Sequence, residues 1–313
     1  MSFETGARKI YDLLVLGAGP AGLTAAIYGG RANLSVLVLE EMIAGGEIAN
    51  SERLDNYPGF PEGISGVEFG QLLEKQASRF GAEIVSAAII EADILGEIKK
   101  VSTSAGDFYG RTVIIATGTS PRLLGVPGED LLRGRGISFC ATCDGPFFRD
   151  REIAVIGGGD SAVKEALYLT RFARKIYLIH RRDKLRAVPY LQEQILNHPK
   201  VQFLWDTVVK RFNGEQKLES ITVENLKDST RKELPVDGAF LYIGRIPNTA
   251  FLKDVEMDGQ GYIITSEEME TPVPGVFAAG DVRRKFLRQV VTAAADGAVA
   301  AMMAVKFLEE TSS

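Results

Sequence analysis

Residues 11–22, Tyr11-Asp-Leu-Leu-Val-Leu-Gly-Ala-Gly-Pro-Ala-Gly22, predict the fold class of this 313-residue chain. The first six are apolar except for Asp12 and end at glycine, which is typical of a buried parallel strand. In the turn that follows, Gly17 permits a tight bend, Gly19 lets the backbone approach a pyrophosphate, and Gly22 lets the next helix pack on the strand. Helical sequence to residue 31 and a second apolar strand over 35–39 come next, so we expect a β-turn-α-β unit that binds a dinucleotide.

The same unit occurs a second time. A strand is predicted over 151–156, a turn at Gly157-Gly-Gly159-Asp-Ser-Ala162, a helix over 163–172 and another strand over 175–179. Alternating strands and helices of this kind predict parallel sheets. The predicted fold is therefore α/β, with two Rossmann-like, three-layer ββα dinucleotide-binding domains.

The two units carry opposite charges where their second strands end. The first ends at Glu40, and the second runs into His180-Arg181-Arg182, with Arg186 shortly after. A carboxylate at this place accepts hydrogen bonds from a free ribose, whereas arginines neutralise a 2′-phosphate. The second unit is therefore predicted to bind NADP(H), and the alternative is a solvated basic loop.

Later segments indicate which cofactor the first unit binds. A strand over 112–119 runs into a small-residue turn, and a segment over 271–281 ends at Gly280-Asp281. A long helix then starts at Arg288-Gln-Val290. An acidic residue suits the ribityl and phosphate region, and a helix N-terminus suits the flavin ring. Each signal is weak alone, but their order along the chain predicts FAD.

The order of these signals predicts the domain boundaries. The FAD signals lie towards both ends of the chain, and the NADP(H) unit lies between them. We therefore expect an NADPH-binding domain, residues 123–248, inserted into an FAD-binding domain, residues 1–122 and 249–313. The predicted crossings, 123–128 and 243–249, contain Gly and Pro.

Two further segments have the alternation of antiparallel strands. Residues 201–236 contain a polar turn at Asn213-Gly214, and residues 83–109 are similar. We expect one β-meander in each domain.

The only two cysteines, Cys140 and Cys143, form a C-x-x-C pair. A structural zinc site would need four ligands, and neither of the two histidines is near in sequence. A purely structural disulfide would close too short a loop to stabilise much. The third interpretation is a redox-active dithiol, which requires a source of electrons, and the predicted NADPH and FAD sites supply one.

Composition narrows the classes of partner. The formal net charge of −5 argues against nucleic acid or an anionic membrane as a partner.

No signal peptide is recognisable, so we expect a cytoplasmic protein. In the cytoplasm a C-x-x-C pair is more often catalytic than structural. The apolar segment 290–308 contains Asp296, Gly297 and Lys306, and this predicts a buried helix rather than a membrane span.

Taken together, the motifs identify a family. The chain resembles low-molecular-weight, bacterial-type thioredoxin reductases over nearly its whole length. The most specific part is Cys140-Ala-Thr-Cys-Asp-Gly145 followed by the second nucleotide unit. The resemblance implies FAD, NADPH, a homodimer and a thioredoxin-like protein substrate. It also implies that Cys143 faces the flavin, Cys140 exchanges with thioredoxin and Asp144 is the acid/base.

The predicted cofactor-binding residues follow from the motifs and the resemblance. On the FAD side they are Gly17, Ala18, Gly19, Pro20, Ala21, Glu40, Gly46, Glu47, Asn56, Ala116, Thr117, Gly118, Gly280, Asp281, Arg288, Gln289 and Val290. On the NADPH side they are Gly157, Gly159, Asp160, Ser161, His180, Arg181, Arg182, Arg186, Ile243 and Gly244. Three positions depart from the family: Glu47 replaces a glutamine, Arg245 a histidine and Asp160 an asparagine. A carboxylate at Asp160 is unfavourable beside a pyrophosphate unless it caps the helix.

Chain order also predicts motion. The NADPH site and the cysteine pair both lie in the inserted domain, and both must reach the flavin. We therefore expect residues 123–248 to take two orientations, exchanged by rotation near Gly125 and Gly244.

Two other functions compete with disulfide reduction. A dithiol oxidase that passes electrons to oxygen needs no arginines at 181 and 182, and a redox-sensing binding module needs no intact C-x-x-C-Asp.

Overall fold

The computed structural model describes residues 8–51, 53–54 and 56–311. It divides the chain into two compact units. The discontinuous unit comprises the described residues of Met1–Ser51, Tyr57–Ser120 and Ile246–Ser313. The inserted unit comprises those of Glu52–Asn56 and Pro121–Arg245.

The strands and helices alternate along most of the chain. The strands are β1 (Ile10–Leu16), β2 (Val36–Glu40), β3 (Glu83–Ser86), β4 (Ile89–Asp93), β5 (Lys99–Thr103), β6 (Gly106–Ile115), β7 (Thr119–Pro121), β8 (Ile137–Ser138), β9 (Glu152–Gly157), β10 (Lys175–Ile179), β11 (Val201–Leu204), β12 (Thr207–Asn213), β13 (Ser220–Asn225), β14 (Arg231–Pro235), β15 (Gly238–Tyr242), β16 (Arg245–Pro247) and β17 (Val276–Ala278). The α-helices are α1 (Pro20–Arg31), α2 (Gly66–Arg79), α3 (Glu129–Leu132), α4 (Ala141–Asp144), α5 (Asp160–Leu169), α6 (Pro189–Leu196) and α7 (Val290–Thr311). Short 3-10 helices occupy Gly46–Asn50, Gly145–Phe148 and Gly280–Val282.

The discontinuous unit is built on one mixed sheet with the order β3-β2-β1-β6-β5-β4. Strands β3, β2, β1 and β6 are parallel neighbours. Strand β5 runs antiparallel beside the first half of β6, and β4 runs antiparallel beside β5. Strand β17 pairs parallel with the second half of β6. The register aligns Leu16 with both Leu39 and Ile115, so the carboxyl ends of three parallel strands lie side by side. A nucleotide site is expected at this edge of a parallel sheet.

Helices α1 and α7 cover one face of this sheet, and small residues let them approach closely. A Cβ added at Gly297 would lie 2.1 Å from the carbonyl oxygen of Ala21. On α7, Ala293, Ala300 and Ala304 are buried, whereas the opposite side leaves Met302 49% exposed. In the part of the chain that the structure describes, α7 is the one helix long and apolar enough to cross a membrane. A core helix passes the same test, and one face of α7 lies in the core.

The inserted unit repeats this plan with a smaller sheet. Strands β11-β10-β9-β15-β8 are all parallel, and helices α5 and α6 contribute to the core on one face. Strands β12, β13 and β14 form a separate antiparallel sheet, which packs on the other face. Both units therefore have the predicted α/β organisation, and the inserted unit has three layers, two of β-sheet and one of helices.

The predicted meanders were wrong at their first strands. Residues 83–86 and 201–204 do not join an antiparallel meander but extend the parallel sheets as β3 and β11. Each follows a helix, α2 or α6, that returns the chain to the open edge of the sheet. The unpaired backbone of that edge is satisfied by one more parallel strand.

Candidate active site

The glycine turn at the start of α1 collects several predicted residues of the discontinuous unit. Gly17 has φ of +105°, and a Cβ there would lie 2.6 Å from the carbonyl oxygen of Ala116. The 3-10 helix Gly46–Asn50 also approaches the turn, because a Cβ at Gly46 would lie 3.2 Å from the Cα of Gly19. A Cβ at Gly280 would lie 2.9 Å from the Cβ of Ala21. Four chain segments thus converge at the carboxyl end of the sheet.

Both nucleotide helices begin without a side-chain cap. Gly19 is the N-cap of α1 and Gly159 the N-cap of α5, and neither helix has a side-chain hydrogen bond that caps its N-terminus. A Cβ at Gly19 would meet nothing within 4 Å, so the space before α1 is open. Uncapped N–H groups facing open space suit the phosphates of a dinucleotide. This fits FAD at α1 and NADPH at α5.

Glu40 lies between that turn and a cleft of about 370 Å³. Its Oε2 accepts a hydrogen bond from the Ala18 N–H at 2.7 Å, and its Oε1 accepts one from the Met42 N–H at 3.0 Å. The cleft is lined by Ala18, Glu40, Met42, Ile43, Ala44, Val67, Gln71, Glu74, Ile84, Val85 and Ser86. Each carboxylate oxygen retains a second lone pair, so Glu40 can still accept from a ribose hydroxyl. The cleft is apolar enough on its walls to fit the adenosine half of FAD.

The turn at Gly280-Asp281 is held by a buried ion cluster that the sequence did not predict. Asp296, on α7, accepts the Gly280 N–H at 3.0 Å. Its carboxylate also pairs with Arg283 at 3.1 Å and with Lys285 at 2.7 Å. All three side chains are at most 12% exposed. A single aspartate in an apolar helix was the available signal, but its partners are not apparent from the sequence.

Asp296→Ala is expected to lower the free energy of unfolding by about 3–5 kcal/mol, because it leaves two buried cations without their counter-ion. The affinity for FAD should fall too, since the Gly280 N–H loses its acceptor. Urea unfolding and FAD release measure the two effects. The control is Asp107→Ala, which breaks the exposed pair with Lys100 and should cost about 0–1 kcal/mol. Equal losses in the two variants would contradict this role.

The remaining predicted FAD residues occupy less constrained places. Glu47 is exposed in the 3-10 helix, and Asn56 is exposed and grouped with the inserted unit. Arg288 lies over the ring of Tyr262 at 4.2 Å, just before α7 begins at Val290. Pro20 and Ala21 begin α1, and Thr117 and Gly118 form the turn after β6. Asp281 lies in the 3-10 helix Gly280–Val282, and Gln289 directly precedes α7. Thr117 donates from Oγ1 to the Asn248 carbonyl at 2.7 Å, which fixes the turn after β6.

The second nucleotide turn lies between β9 and α5. Gly157 has φ of +152°, and a Cβ there would lie 2.6 Å from both the Ala162 Cβ and the Tyr242 carbonyl oxygen. Ser161 is exposed in the first turn of α5. From the sequence, a carboxylate at Asp160 was expected to be unfavourable beside a pyrophosphate unless it caps the helix. Asp160 does not cap α5, because its Oδ1 accepts the Val188 N–H at 2.8 Å. The carboxylate therefore ties α5 to the segment before α6.

The side chain of His180 is buried against this turn, whereas the three arginines that follow it in sequence are exposed to solvent. A Cβ at Gly158 would fall 2.3 Å from the imidazole of His180, so the ring excludes any other residue there. Burial lowers the pKa of His180, and the positive charges of Arg186, Arg182 and Arg181 lower it further. Its Nε2 is buried without a hydrogen-bond partner in the structure. The ring is thus neutral at physiological pH.

Arg181, Arg182 and Arg186 are exposed. Arg186 is also fixed by its N–H, which donates to the Gly158 carbonyl at 2.7 Å. The Nη2 of Arg186 lies 4.0 Å from the place of a Cβ at Gly159. Cationic side chains free to move around a glycine turn fit the phosphates of NADPH. Ile243 and Gly244, which follow β15, lie at the same carboxyl end of the inserted sheet.

Cys140 and Cys143 form a disulfide at the start of α4, with a Cα–Cα distance of 5.3 Å. Cys140 is the N-cap of α4, and its Sγ accepts the Cys143 N–H at 3.2 Å. A thiolate at Cys140 would keep this donor, and an N–H at the start of a helical turn stabilises a negative charge on sulfur. Asp144 ends the same helical turn. Among the described residues, no group of three or more His, Cys, Asp or Glu side chains is placed to hold a metal ion.

Comparison with known proteins shows the family of the chain. The sequence profile of the pyridine nucleotide-disulphide oxidoreductases matches residues 11–297. A thioredoxin reductase of Listeria innocua is 47% identical over 305 residues, 97% of this chain and 95% of that protein. The chain belongs to this family, among the low-molecular-weight thioredoxin reductases. The resemblance inferred from the motifs is confirmed.

Solved structures agree with that assignment. A thioredoxin reductase from Streptococcus pyogenes is 44% identical, with a TM-score of 0.93, over 97% of this chain and all of that one. A Lactococcus lactis thioredoxin reductase, described as the FR conformation, is 43% identical, with a TM-score of 0.66, over 96% of this chain and 99% of that one. The fold class predicted for this chain is therefore confirmed, and the family uses FAD and NADPH.

Proposed function

We propose that this protein reduces the disulfide of thioredoxin or a thioredoxin-like protein with electrons from NADPH, through FAD and the Cys140–Cys143 disulfide. One observation carries the proposal. The disulfide at the start of α4 lies in the same unit as a nucleotide turn flanked by three arginines. A dithiol oxidase would not need those arginines, and a redox-sensing module would not need Asp144 beside the cysteines.

The residues of each unit would hold one cofactor. We assign FAD to the domain of residues 1–122 and 249–313, through the turns at Gly17, Gly46, Gly118 and Gly280, and NADPH to the domain of residues 123–248. When bound, FAD accepts a hydride from NADPH and passes two electrons on to a disulfide. The chain itself supplies the phosphate-binding N–H groups, the carboxylate of Glu40 and the arginines.

The cysteine pair then carries the electrons to the partner. Two electrons and one proton break the S–S bond and leave one thiolate and one thiol. The Cys140 thiolate, with the Cys143 N–H beside it, attacks the disulfide of thioredoxin and forms a mixed disulfide. Cys143 attacks the Cys140 sulfur next, releases reduced thioredoxin and restores the disulfide. Asp144 is placed on the same turn to exchange the proton.

The two half-reactions require two arrangements of the domains. Both the nicotinamide and the disulfide must reach the same flavin, and both belong to residues 123–248. We propose rotation of this domain about the crossings near Gly125 and Gly244. The two solved thioredoxin reductases match this chain to different extents at nearly equal identity, which supports more than one arrangement in the family.

Three further features complete the proposal. The protein is proposed to be a cytoplasmic homodimer, because the resemblance implies a dimer and a redox-active C-x-x-C pair suits the reducing cytosol. Nucleic acid and membrane are not expected as partners, since the net charge is −5. Gel filtration with light scattering tests the dimer.

Turnover of the purified protein tests the function. With FAD bound, it should oxidise NADPH in proportion to the thioredoxin disulfide it reduces, as followed by absorbance loss of NADPH and by thiol titration. Oxygen-dependent oxidation without thioredoxin would favour a dithiol oxidase instead. Tight FAD binding with no turnover of any disulfide would favour a redox-sensing module.

A further inference from the structure

The helical turn that carries the redox cysteines rests on a tyrosine. The hydroxyl oxygen of Tyr242, at the end of β15, accepts the Ala141 N–H at 2.6 Å. Ala141 is the first residue of α4 and is 1% exposed, so its N–H has no access to water. This hydrogen bond joins two residues that are 101 positions apart in the chain, and Ala141 lies between the two cysteines in sequence. Without this acceptor, the first turn of α4 would hold an unpaired buried donor.

Two acidic groups act on the tyrosine hydroxyl. Burial raises the pKa of Tyr242 well above its ordinary value, and the negative charges of Glu165 on α5 and Asp144 on α4 raise it further, whereas the Ala141 N–H and Arg245 oppose them. The hydroxyl therefore stays protonated, while a lone pair of its oxygen accepts the Ala141 N–H. Burial also raises the pKa of Glu165, with Lys164 acting against the shift. Glu165 gains its charge only when the pH rises through that raised pKa.

The same tyrosine touches the coenzyme turn. Its carbonyl oxygen lies 2.6 Å from the place of a Cβ at Gly157, and β15 pairs with β9 so that Tyr242 aligns with Gly157. Helix α5, which carries Glu165, starts at that turn and packs against α4. Tyr242 thus contacts both the nucleotide turn and the cysteine-bearing turn, and Glu165 lies on the helix that packs against α4, all within one unit.

We infer that Tyr242 and Glu165 form a positioning pair that sets the ionisation of the reduced Cys140–Cys143 dithiol, which rests on the redox function proposed above. Tyr242 fixes the Ala141 N–H and keeps α4 intact, so that the Cys143 N–H remains directed at the Cys140 sulfur. That N–H favours the thiolate. Glu165, once ionised, adds a negative charge that disfavours a second one on sulfur.

The two residues therefore have opposite effects on the ionisation of the Cys140 thiol. Tyr242→Phe should raise the pKa of the Cys140 thiol, because α4 loses the acceptor that orders its first turn. Glu165→Gln should lower it, because no carboxylate forms as the pH rises. A shift of about half a unit to one unit changes the thiolate fraction at pH 7 by about three- to tenfold.

Alkylation of the reduced holoenzyme measures this ionisation. The protein is reduced with dithiothreitol, freed of reductant without oxygen, and treated with iodoacetamide between pH 5 and pH 9, about two units on either side of neutrality where thiols titrate. Mass spectrometry then gives the rate at Cys140 and at Cys143. Tyr177→Phe and Glu152→Gln are the matched controls, because the Tyr177 hydroxyl donates to Glu152 at 3.0 Å at the other end of the same sheet.

The expected result is a Cys140 midpoint shifted up in Tyr242→Phe and down in Glu165→Gln, with both controls unchanged. A midpoint in either variant equal to that of the unchanged protein would overturn the inference. If Tyr242→Phe does not fold, Glu165→Gln decides alone. Thioredoxin reduction by the unchanged protein tests the proposed function separately, so turnover without any shift defeats the inference alone.

Discussion

Cys143→Ser is expected to lower the rate of thioredoxin reduction to that of the uncatalysed reaction, while NADPH still bleaches the flavin absorbance. The remaining thiol at Cys140 cannot form a disulfide within the chain, so no internal acceptor takes the electrons. The Cys140 thiolate can still attack oxidised thioredoxin, forming one intermolecular disulfide and releasing one thioredoxin thiol. Nothing then resolves that bond, and a stable mixed disulfide should appear on non-reducing gels.

Two companion variants separate this role from damage to α4. Thr142→Ser keeps both thiols in the same turn and should turn over normally. Cys140→Ser should also lose turnover but trap no thioredoxin, because the attacking sulfur is gone. If Cys143→Ser reduced thioredoxin at the normal rate, the assignment of the cysteine pair would be wrong.

The fold class could be predicted because its signals are local. The turn at Gly17 and its repeat at Gly157 lie between an apolar strand and a helix, and each is contained in about 30 residues. The partners of β3 and β11 could not be predicted, since a short apolar strand does not encode whether its neighbour is parallel. That choice depends on where α2 and α6 return the chain.

The site divides in the same way. Glycine turns and the C-x-x-C pair are contiguous in sequence, so their positions were predictable, although their cofactor contacts stay predictions. The groups that hold them are distant in the chain. Asp296 reaches Gly280 across 16 residues, and Tyr242 reaches Ala141 across 101. Such contacts exist only after packing, and neither an aspartate in an apolar helix nor a tyrosine ending a strand indicates its partner.

The preference for NADPH over NADH provides the second large effect. Arg181 and Arg182 are exposed and follow β10, where the backbone is fixed because the Thr207 N–H donates to the His180 carbonyl at 3.0 Å. We expect their guanidinium groups to bind a 2′-phosphate without moving the strand. NADH lacks this phosphate, so both side chains should act on NADPH alone.

Arg181→Ala combined with Arg182→Ala is expected to lower kcat/KM with NADPH by about 10²- to 10⁴-fold. Each lost hydrogen bond to a charged group is worth about 1.5–3 kcal/mol, and about 1.4 kcal/mol corresponds to tenfold. The value with NADH should change less than about fivefold, because a change of less than about 1 kcal/mol is expected for exposed charges that lack a charged partner. Arg174→Ala is the control, since it removes an exposed arginine paired with Glu152 at the opposite end of β10. Steady-state kinetics with both coenzymes at fixed ionic strength measure the ratio, and equal efficiency with NADPH and NADH in the unchanged protein would show that these arginines do not select the coenzyme.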